Sequence, residues 1–206
     1  MLGIPQNTSW KNQWRNTLLV VCFLTLSLNA SLTAEPVDLD YLINYTIPLA
    51  ELFDSIAVDH DCLTFLIDKS DYTLSLIIDT LTVKQYPVVF GSNPWDDKLQ
   101  QGDQCTPEGI FHMQAKYPHR WWLKFIWLDY PNHESWRKYH AAVQTGLIPA
   151  NAYIGGEIGI HGVPENCDYL VLERINWTLG CISLTNADIA EIYNFFTESS
   201  VIIIQK

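Results

Sequence analysis

Residues 178–188 read Thr178-Leu179-Gly180-Cys181-Ile182-Ser183-Leu184-Thr185-Asn186-Ala187-Asp188, and this stretch decides the fold. Thr185 and Asp188 have the spacing of a capping box, which predicts that a helix begins shortly after the cysteine. His161 lies twenty residues before Cys181, inside a short, glycine-rich apolar run that indicates a strand. Because the two residues are distant in sequence, they can come from different elements and meet in space.

Cys181 and His161 have the chemistry of a nucleophile and its base. A cysteine attacks as thiolate, and a neutral imidazole can take its proton and later return it to a leaving amine. Gly180 leaves the approach to the sulfur open and lets backbone N–H groups converge beside it, where they could stabilise an oxyanion. The pair therefore indicates a site for thiol acyl transfer.

Other interpretations of these two residues stay open at this point. A buried cysteine often serves only as a small apolar side chain, and a histidine in an apolar strand is often only hydrogen-bonded. A zinc site is disfavoured because the other sulfurs and histidines lack C-x-x-C or H-x-x-x-H spacing.

The composition is that of one acidic globular domain. The chain has 206 residues, of which 48% are hydrophobic and 17% charged, so it can bury an ordinary core. The net charge of −11 argues against nucleic acid as a partner, because phosphate binding needs basic patches.

Residues 1–34 are predicted to be a signal peptide. Lys11 and Arg15 precede the apolar run 18–28, and small residues lead to Ala34. A basic start, a short apolar stretch and a small-residue exit are typical of secretory signals. The apolar run is short for a membrane span, and an uncleaved anchor in the inner membrane is the alternative. We therefore expect an exported protein.

Four cysteines follow the predicted signal: Cys62, Cys105, Cys167 and Cys181. If Cys181 stays reduced as a nucleophile, at most one disulfide can form among the other three. The sequence leaves open which pair bridges, or whether any does.

Alternating and helical patterns predict a mainly β fold, a β-rich mixed sheet or sandwich with two or three helices. Residues 35–57 are an N-terminal segment, and 58–206 form the domain that carries the site, with an aromatic insertion at about 116–150. Strands are predicted at 62–67, 73–78, 83–90, 110–114, 158–162 and 201–204, and helices at 49–56, 132–143 and after 185.

An aromatic stripe lies in the helix predicted within the insertion. Trp136, Tyr139, His140 and Val143 recur at helical spacing. Core packing is the main interpretation of this stripe, and substrate lining is the alternative.

Three ordered motifs resemble the L,D-transpeptidase catalytic domain family, the YkuD-type family. Ile160-His161-Gly162 followed by Thr178-Leu179-Gly180-Cys181 resembles its His-Gly and Ser/Thr-x-Gly-Cys signature. Upstream, the family's strand-to-glycine stretch is similar to Tyr86-Pro87-Val88-Val89-Phe90-Gly91, and its Thr-Pro-x-Gly-x-Phe motif to Thr106-Pro107-Glu108-Gly109-Ile110-Phe111. The motifs span roughly residues 62–195. The aromatic insertion resembles a periplasmic branch of the family in Gram-negative bacteria.

The resemblance implies a reaction on peptidoglycan stem peptides. In the family a cysteine attacks the carbonyl of the third residue, usually a diamino acid, and expels D-alanine. An amine of a second stem, or of a wall-anchored lipoprotein, then takes the acyl group. Water as acceptor would instead give an L,D-carboxypeptidase, or a hydrolase that cleaves a cross-link or an anchored lipoprotein. A catalytically silent wall-binding module is the alternative from another class.

The resemblance also implies roles for individual residues. Cys181 would be the nucleophile and His161 the general base and acid, with Gly162 orienting the imidazole through its carbonyl. Gly180 and Cys181 would supply oxyanion N–H groups, and Thr178 would shape the motif. No metal or organic cofactor is implied, and carbapenem-type β-lactams are expected to acylate Cys181.

Two positions depart from the family pattern. Leu179 stands where many members have histidine before Gly-Cys, and Ser183 stands where many have Arg or Asn. Both positions are expected to shape the pocket or contact the substrate, so these departures leave donor preference and acceptor choice open.

Overall fold

A computed structural model describes residues 35–54 and 63–206. The signal or anchor predicted for residues 1–34 lies outside the described residues, as does Cys62. Eight strands in these ranges form one mixed sheet in the order β3-β2-β1-β8-β4-β5-β6-β7, which confirms the predicted mainly β fold. The strands are β1 (Leu63–Asp68), β2 (Thr73–Ile78), β3 (Leu81–Pro87), β4 (Gly109–His119), β5 (Leu123–Leu128), β6 (Gly159–His161), β7 (Ile182–Ser183) and β8 (Val201–Gln205).

Short helices connect the strands. Within the described ranges they are α1 (Leu49–Asp54), α2 (His133–Gln144), α3 (Tyr169–Leu172) and α4 (Asn186–Ile192), with 3-10 turns at Leu39–Tyr41 and Tyr193–Phe195. None of these described helices is long and apolar enough to cross a membrane.

The first two strands form the predicted hairpin. β1 and β2 pair antiparallel from Leu63↔Ile78 to Asp68↔Thr73. The Asp68 carboxylate accepts hydrogen bonds from the backbone N–H groups of Ser70 and Asp71 and so stabilises the turn between the strands.

β8 lies in the middle of the sheet. It pairs parallel with β1 and antiparallel with β4, so Ile202 lies opposite both Phe65 and Phe111. Ile202 and Ile204 are buried, whereas Val201 and Ile203 are partly exposed. The apolar run therefore forms a strand, as predicted, with alternate residues facing the core.

The segment 116–150, where an aromatic insertion is predicted, contributes to the sheet. β4 continues to His119, and β5 pairs with both β4 and β6. Polar residues interrupt β4, but Lys116 folds back and donates to the carbonyls of Tyr193 and Phe196. These hydrogen bonds satisfy the ammonium group of Lys116, which lies beyond the strand predicted at 110–114.

α2 carries the aromatic stripe on its exposed side. Asn132 caps its first turn by accepting from the Ser135 N–H, and Gly146 follows its end with φ +74°. Trp136 and His140 are exposed, so the prediction that they pack in the core is wrong. Only Tyr139 of the four packs against the core, and its hydroxyl donates to Ala152 O.

α4 packs one apolar face against the sheet directly after the cysteine motif. The predicted capping box is confirmed, because the Asp188 N–H donates to Thr185 Oγ1. Ile189 and Ile192 are fully buried, and the ring of Phe196 stacks on Phe65 with centroids 3.7 Å apart. The helix start is thereby held against the core.

Residues 35–54 belong to the same compact unit as the rest of the described chain. Leu49 is buried in the core, and its N–H donates to Glu191 on α4. Glu191 also accepts from Lys84 and from the Tyr86 hydroxyl. The N-terminal segment is therefore attached to the helix that follows the candidate site.

Candidate active site

Two neighbouring strands bring Cys181 and His161 together. β6 and β7 pair parallel, with His161 opposite Ser183, and Cys181 directly precedes β7. Both side chains line one cavity of about 610 Å³. The structure thus unites the two residues on which the sequence prediction of a thiol site rested.

Thr178 holds the turn that carries Cys181. Its buried hydroxyl donates to the carbonyl oxygen of Cys181 at 2.7 Å and accepts from the Gly180 N–H at 3.1 Å. One side chain therefore fixes both ends of the Gly180-Cys181 pair.

Gly180 is required by its surroundings. It has φ +139°, and a Cβ at this position would lie 2.7 Å from the carbonyl oxygen of Cys105. The expected oxyanion role of its amide is not supported, because that N–H already donates to Thr178. The Gly180 amide fixes the turn instead.

His161 is almost completely buried among aromatic rings. Its exposed fraction is 1%, and its ring stacks on Trp122 with centroids 4.4 Å apart. Trp177 meets the imidazole edge-on, and Phe125 lies parallel to it on the neighbouring strand. These contacts leave the imidazole little freedom to rotate.

The Gly162 carbonyl fixes the tautomer of this imidazole. Its oxygen lies 2.6 Å from Nδ1 of His161, and since a carbonyl can only accept, Nδ1 carries the proton. Nε2 is then the nitrogen that can accept a proton from the thiol. A Cβ at Gly162 would lie 2.3 Å from Asn186 Oδ1 and 2.8 Å from Trp122 O, so only glycine fits.

Ser183 does not face the substrate cavity. Its side chain is fully buried, and its hydroxyl donates to the same Gly162 carbonyl at 3.3 Å. The expectation of a substrate-facing position is therefore wrong here, because the register of β7 turns Ser183 inward. Leu179, in contrast, is 76% exposed and lines the cavity.

The resting pair is neutral. Burial lowers the pKa of His161 to about 4, although its bond to Gly162 acts in the opposite direction. Burial also raises the pKa of the Cys181 thiol to about 11. At neutral pH the site therefore holds a thiol and a neutral imidazole rather than an ion pair, and proton transfer must accompany attack on a substrate.

A second cavity, of about 330 Å³, also reaches Cys181. Cys181, Trp122 and Glu157 line both cavities and so mark the place where they meet. Lys98 lines the larger cavity, and His119 lines the smaller one. The Cys181 side chain is thereby accessible from two spaces.

Several of these lining residues were not predicted from the sequence. Trp122 and Phe125 belong to the aromatic insertion predicted at about 116–150. Their contact with His161, however, depends on the pairing of β5 with β6. Lys98 and Glu157 lie in loops, where no periodicity marks them.

Cys105, Cys167 and Cys181 are all free thiols in the described part of the chain. Cys105 is buried, and burial raises its pKa to about 11. Cys105 and Cys167 therefore do not bridge each other. In the same ranges, no group of three His, Cys, Asp or Glu side chains could hold a metal ion.

A mixed sheet that delivers a thiol and a neutral imidazole to one cavity has the layout of a cysteine acyl-transfer domain. The family model of the L,D-transpeptidase catalytic domain, YkuD, matches residues 64–204, and the chain belongs to this family. No curated protein matches the sequence.

Solved structures show the same fold. Bd1075 from Bdellovibrio bacteriovorus is 20% identical with a TM-score of 0.50, and the match covers 70% of this chain and 48% of that one. The helical cell shape determining protein Pgp2 from Campylobacter jejuni is 21% identical with a TM-score of 0.52, and the match covers 76% and 55% of the two chains. The matched part is thus about half the length of these proteins.

Proposed function

We propose that this protein is a peptidoglycan L,D-transpeptidase in which Cys181 is the nucleophile and His161 the general base and acid. Family membership supports action on peptidoglycan stem peptides. The observation that carries the proposal is the shared cavity lining of a thiol and an imidazole whose Nδ1 is engaged by Gly162.

In the first step Cys181 becomes acylated. Sγ attacks the carbonyl carbon of the third stem residue, and the thiol proton passes to Nε2 of His161. The bond to D-alanine breaks, and the leaving amine takes the proton from the imidazolium, so that D-alanine and a thioester form. The N–H of Cys181 is proposed as the oxyanion donor, since the Gly180 N–H is bound to Thr178.

In the second step an amine takes the acyl group. The amine attacks the thioester carbon, one of its protons passes through His161 to the departing sulfur, and an amide bond replaces the C–S bond. Two cavities that meet at Cys181 provide separate space for a donor and an acceptor. This arrangement favours transfer over simple hydrolysis. The signal predicted for residues 1–34 supports export to the periplasm, where peptidoglycan lies.

The nucleophile is tested by intact-mass measurement after exposure to a carbapenem. We expect one covalent adduct, mapped to Cys181 and absent from Cys181→Ala. Cys167→Ala is the matched control and should keep the adduct, because Cys167 is also a free thiol but lines neither cavity. An adduct that persists in folded Cys181→Ala would contradict the assignment.

The reaction is tested with purified muropeptides. Incubation of a tetrapeptide stem with an amine acceptor should yield cross-linked dimers and free D-alanine. Shortened stems without dimers would identify a carboxypeptidase or hydrolase. Binding without any product in wild type would identify a silent binding module.

A further inference from the structure

Glu157 is the one carboxylate that lines either cavity in the described part of the chain. Its side chain is exposed and forms no ion pair with a described residue. Lys98, which lines the larger cavity together with Glu157, is already bound to Asp103 Oδ1 at 2.8 Å and to Gln100 O at 3.1 Å. An unpaired negative charge thus stands at the junction of the two cavities.

The backbone holds Glu157 at this junction in an unfavourable conformation. Its φ is +57°, a left-handed value that is unfavourable for a residue with a Cβ. Its carbonyl oxygen accepts from Sγ of Cys181 at 3.5 Å, and the next residue, Ile158, is buried and accepts from the Leu128 N–H. Contacts on both sides therefore impose the conformation and hold the backbone of Glu157 beside the sulfur, in the lining of both cavities.

The charge of Glu157 works against the nucleophile. Burial is the main cause of the raised pKa of Cys181, and the Glu157 carboxylate raises it further. Thiol activation therefore does not explain a carboxylate at this place in the lining. The second substrate of a transpeptidase offers an explanation, because an amine in water at neutral pH is mostly a cation.

We propose that Glu157 is a specificity-determining residue that binds the cationic amine of the acyl acceptor beside the Cys181 thioester. The inference rests on the proposed function and deepens it. The bound ammonium loses one proton to solvent and attacks as the amine. Its second proton passes through His161 to the sulfur as the C–S bond breaks. By concentrating amine at the thioester, Glu157 favours transfer over hydrolysis by water.

The test is the partition of the thioester between two products in the full-length protein. A tetrapeptide donor is mixed with a stem tripeptide that carries a free side-chain amine, and dimer and hydrolysed stem are quantified by mass spectrometry. In Glu157→Gln the ratio of dimer to hydrolysed stem should fall about fivefold, the value of an ion pair near 1 kcal/mol. The release of D-alanine in the acylation step should not slow, because acylation precedes acceptor binding and the neutral side chain no longer raises the pKa of the thiol.

Two control variants sharpen the result. Glu157→Asp keeps the charge and should restore part of the dimer yield. Glu198→Gln removes an exposed carboxylate that lines neither cavity, and it should leave the partition unchanged. An unchanged partition in Glu157→Gln overturns the inference. A slower release of D-alanine at constant partition also overturns it, because Glu157 would then contact the donor.

A binding measurement separates this inference from the proposed function. In Cys181→Ala, the free-amine tripeptide should bind about fivefold more tightly than the same peptide with an acetylated amine, and the added Glu157→Gln change should remove that preference. If wild type releases no D-alanine, the proposed function fails, and this preference still decides whether Glu157 binds a cationic amine. Equal affinities overturn the inference.

Discussion

Ser183 and His161 donate hydrogen bonds to one acceptor, the carbonyl oxygen of Gly162, at 3.3 Å and 2.6 Å respectively. The two donors lie opposite each other on β7 and β6. The strand that follows Cys181 therefore helps to hold the residue that orients the His161 imidazole.

Removing the Ser183 hydroxyl should have a small effect. Ser183→Ala loses one buried hydrogen bond and should lower the free energy of unfolding by about 1 kcal/mol. The rate of carbapenem acylation should fall less than about tenfold, because the His161 Nδ1 bond remains and one such bond is worth roughly 1 kcal/mol. Urea unfolding measures the change in free energy, and stopped-flow acylation measures the change in rate. Complete loss of acylation in a stable variant would show that the hydroxyl takes a direct part in the chemistry.

Acid should destabilise the fold through His161. Its pKa is about 4 in the folded state and near 6.5 when unfolded, so between these pH values the unfolded chain binds the extra proton. This contribution is complete above about pH 6.5 and is lost, by about 3 kcal/mol in total, as pH falls towards 4. Urea unfolding across this range should show the loss in wild type relative to His161→Gln.

The titration of Asp188 changes the free energy of unfolding in the opposite direction to that of His161. Wild type must therefore be compared with His161→Gln. Burial raises the pKa of this carboxyl to about 6, and its charged form becomes unfavourable as pH rises from about 4 towards 6. The wild-type curve alone is therefore flatter than the His161 contribution. If wild type and His161→Gln lost stability in parallel between pH 6.5 and 4, the depressed pKa would be contradicted.

Stability and the rate of acylation should depend on the hydroxyl of Thr178 and not on its methyl group. Thr178→Val removes the bonds to Cys181 O and the Gly180 N–H in a buried place, which should cost roughly 1–3 kcal/mol. The turn that carries the thiol also loosens, so acylation should slow at least about tenfold, since small misplacements of reacting groups are costly. Thr178→Ser keeps the hydroxyl and should stay close to wild type in both measurements. Equal effects of the two variants would indicate a packing role.

Glu191 should stabilise the N-terminal segment. Glu191→Gln takes the charge partner from Lys84, whose side chain is 3% exposed, and should lower the free energy of unfolding by roughly 3 kcal/mol. The Leu49 N–H also donates to Glu191, and because an amide oxygen is a weaker acceptor than a carboxylate, limited proteolysis should cut residues 35–54 faster than in wild type. Glu51→Gln, an exposed change on α1, is the control. Unchanged proteolysis of Glu191→Gln would mean that other contacts hold the segment.

The features that the sequence could predict are local ones. Thr185 and Asp188 lie within one helical turn, so their capping interaction follows from spacing alone. Cys181, His161 and Thr178 stand in short motifs whose residue types have few other uses together. The hairpin of β1 and β2 follows from two alternating runs around an aspartate-rich turn.

The features that were missed depend on long-range register. Ser183 faces the core because β7 pairs with β6 and with Val89, and a shift by one residue would have turned it outward. Trp122 reaches His161 only because β5 pairs with β6. Glu157 lies at the junction of the cavities because its backbone is left-handed, and no side-chain pattern predicts that conformation.

The central place of β8 also governs how the chain can fold. β1 to β3 form one ribbon and β4 to β7 another, and the hydrogen-bonded link between them in the sheet is β8. Ile202 lies opposite Phe65 on one side and Phe111 on the other, so its docking joins both ribbons at once. Contacts between β1 and β8 span nearly the whole described chain, and such high contact order slows folding. We expect assembly of the sheet to be a late, cooperative step in which the thiol site forms together with the core.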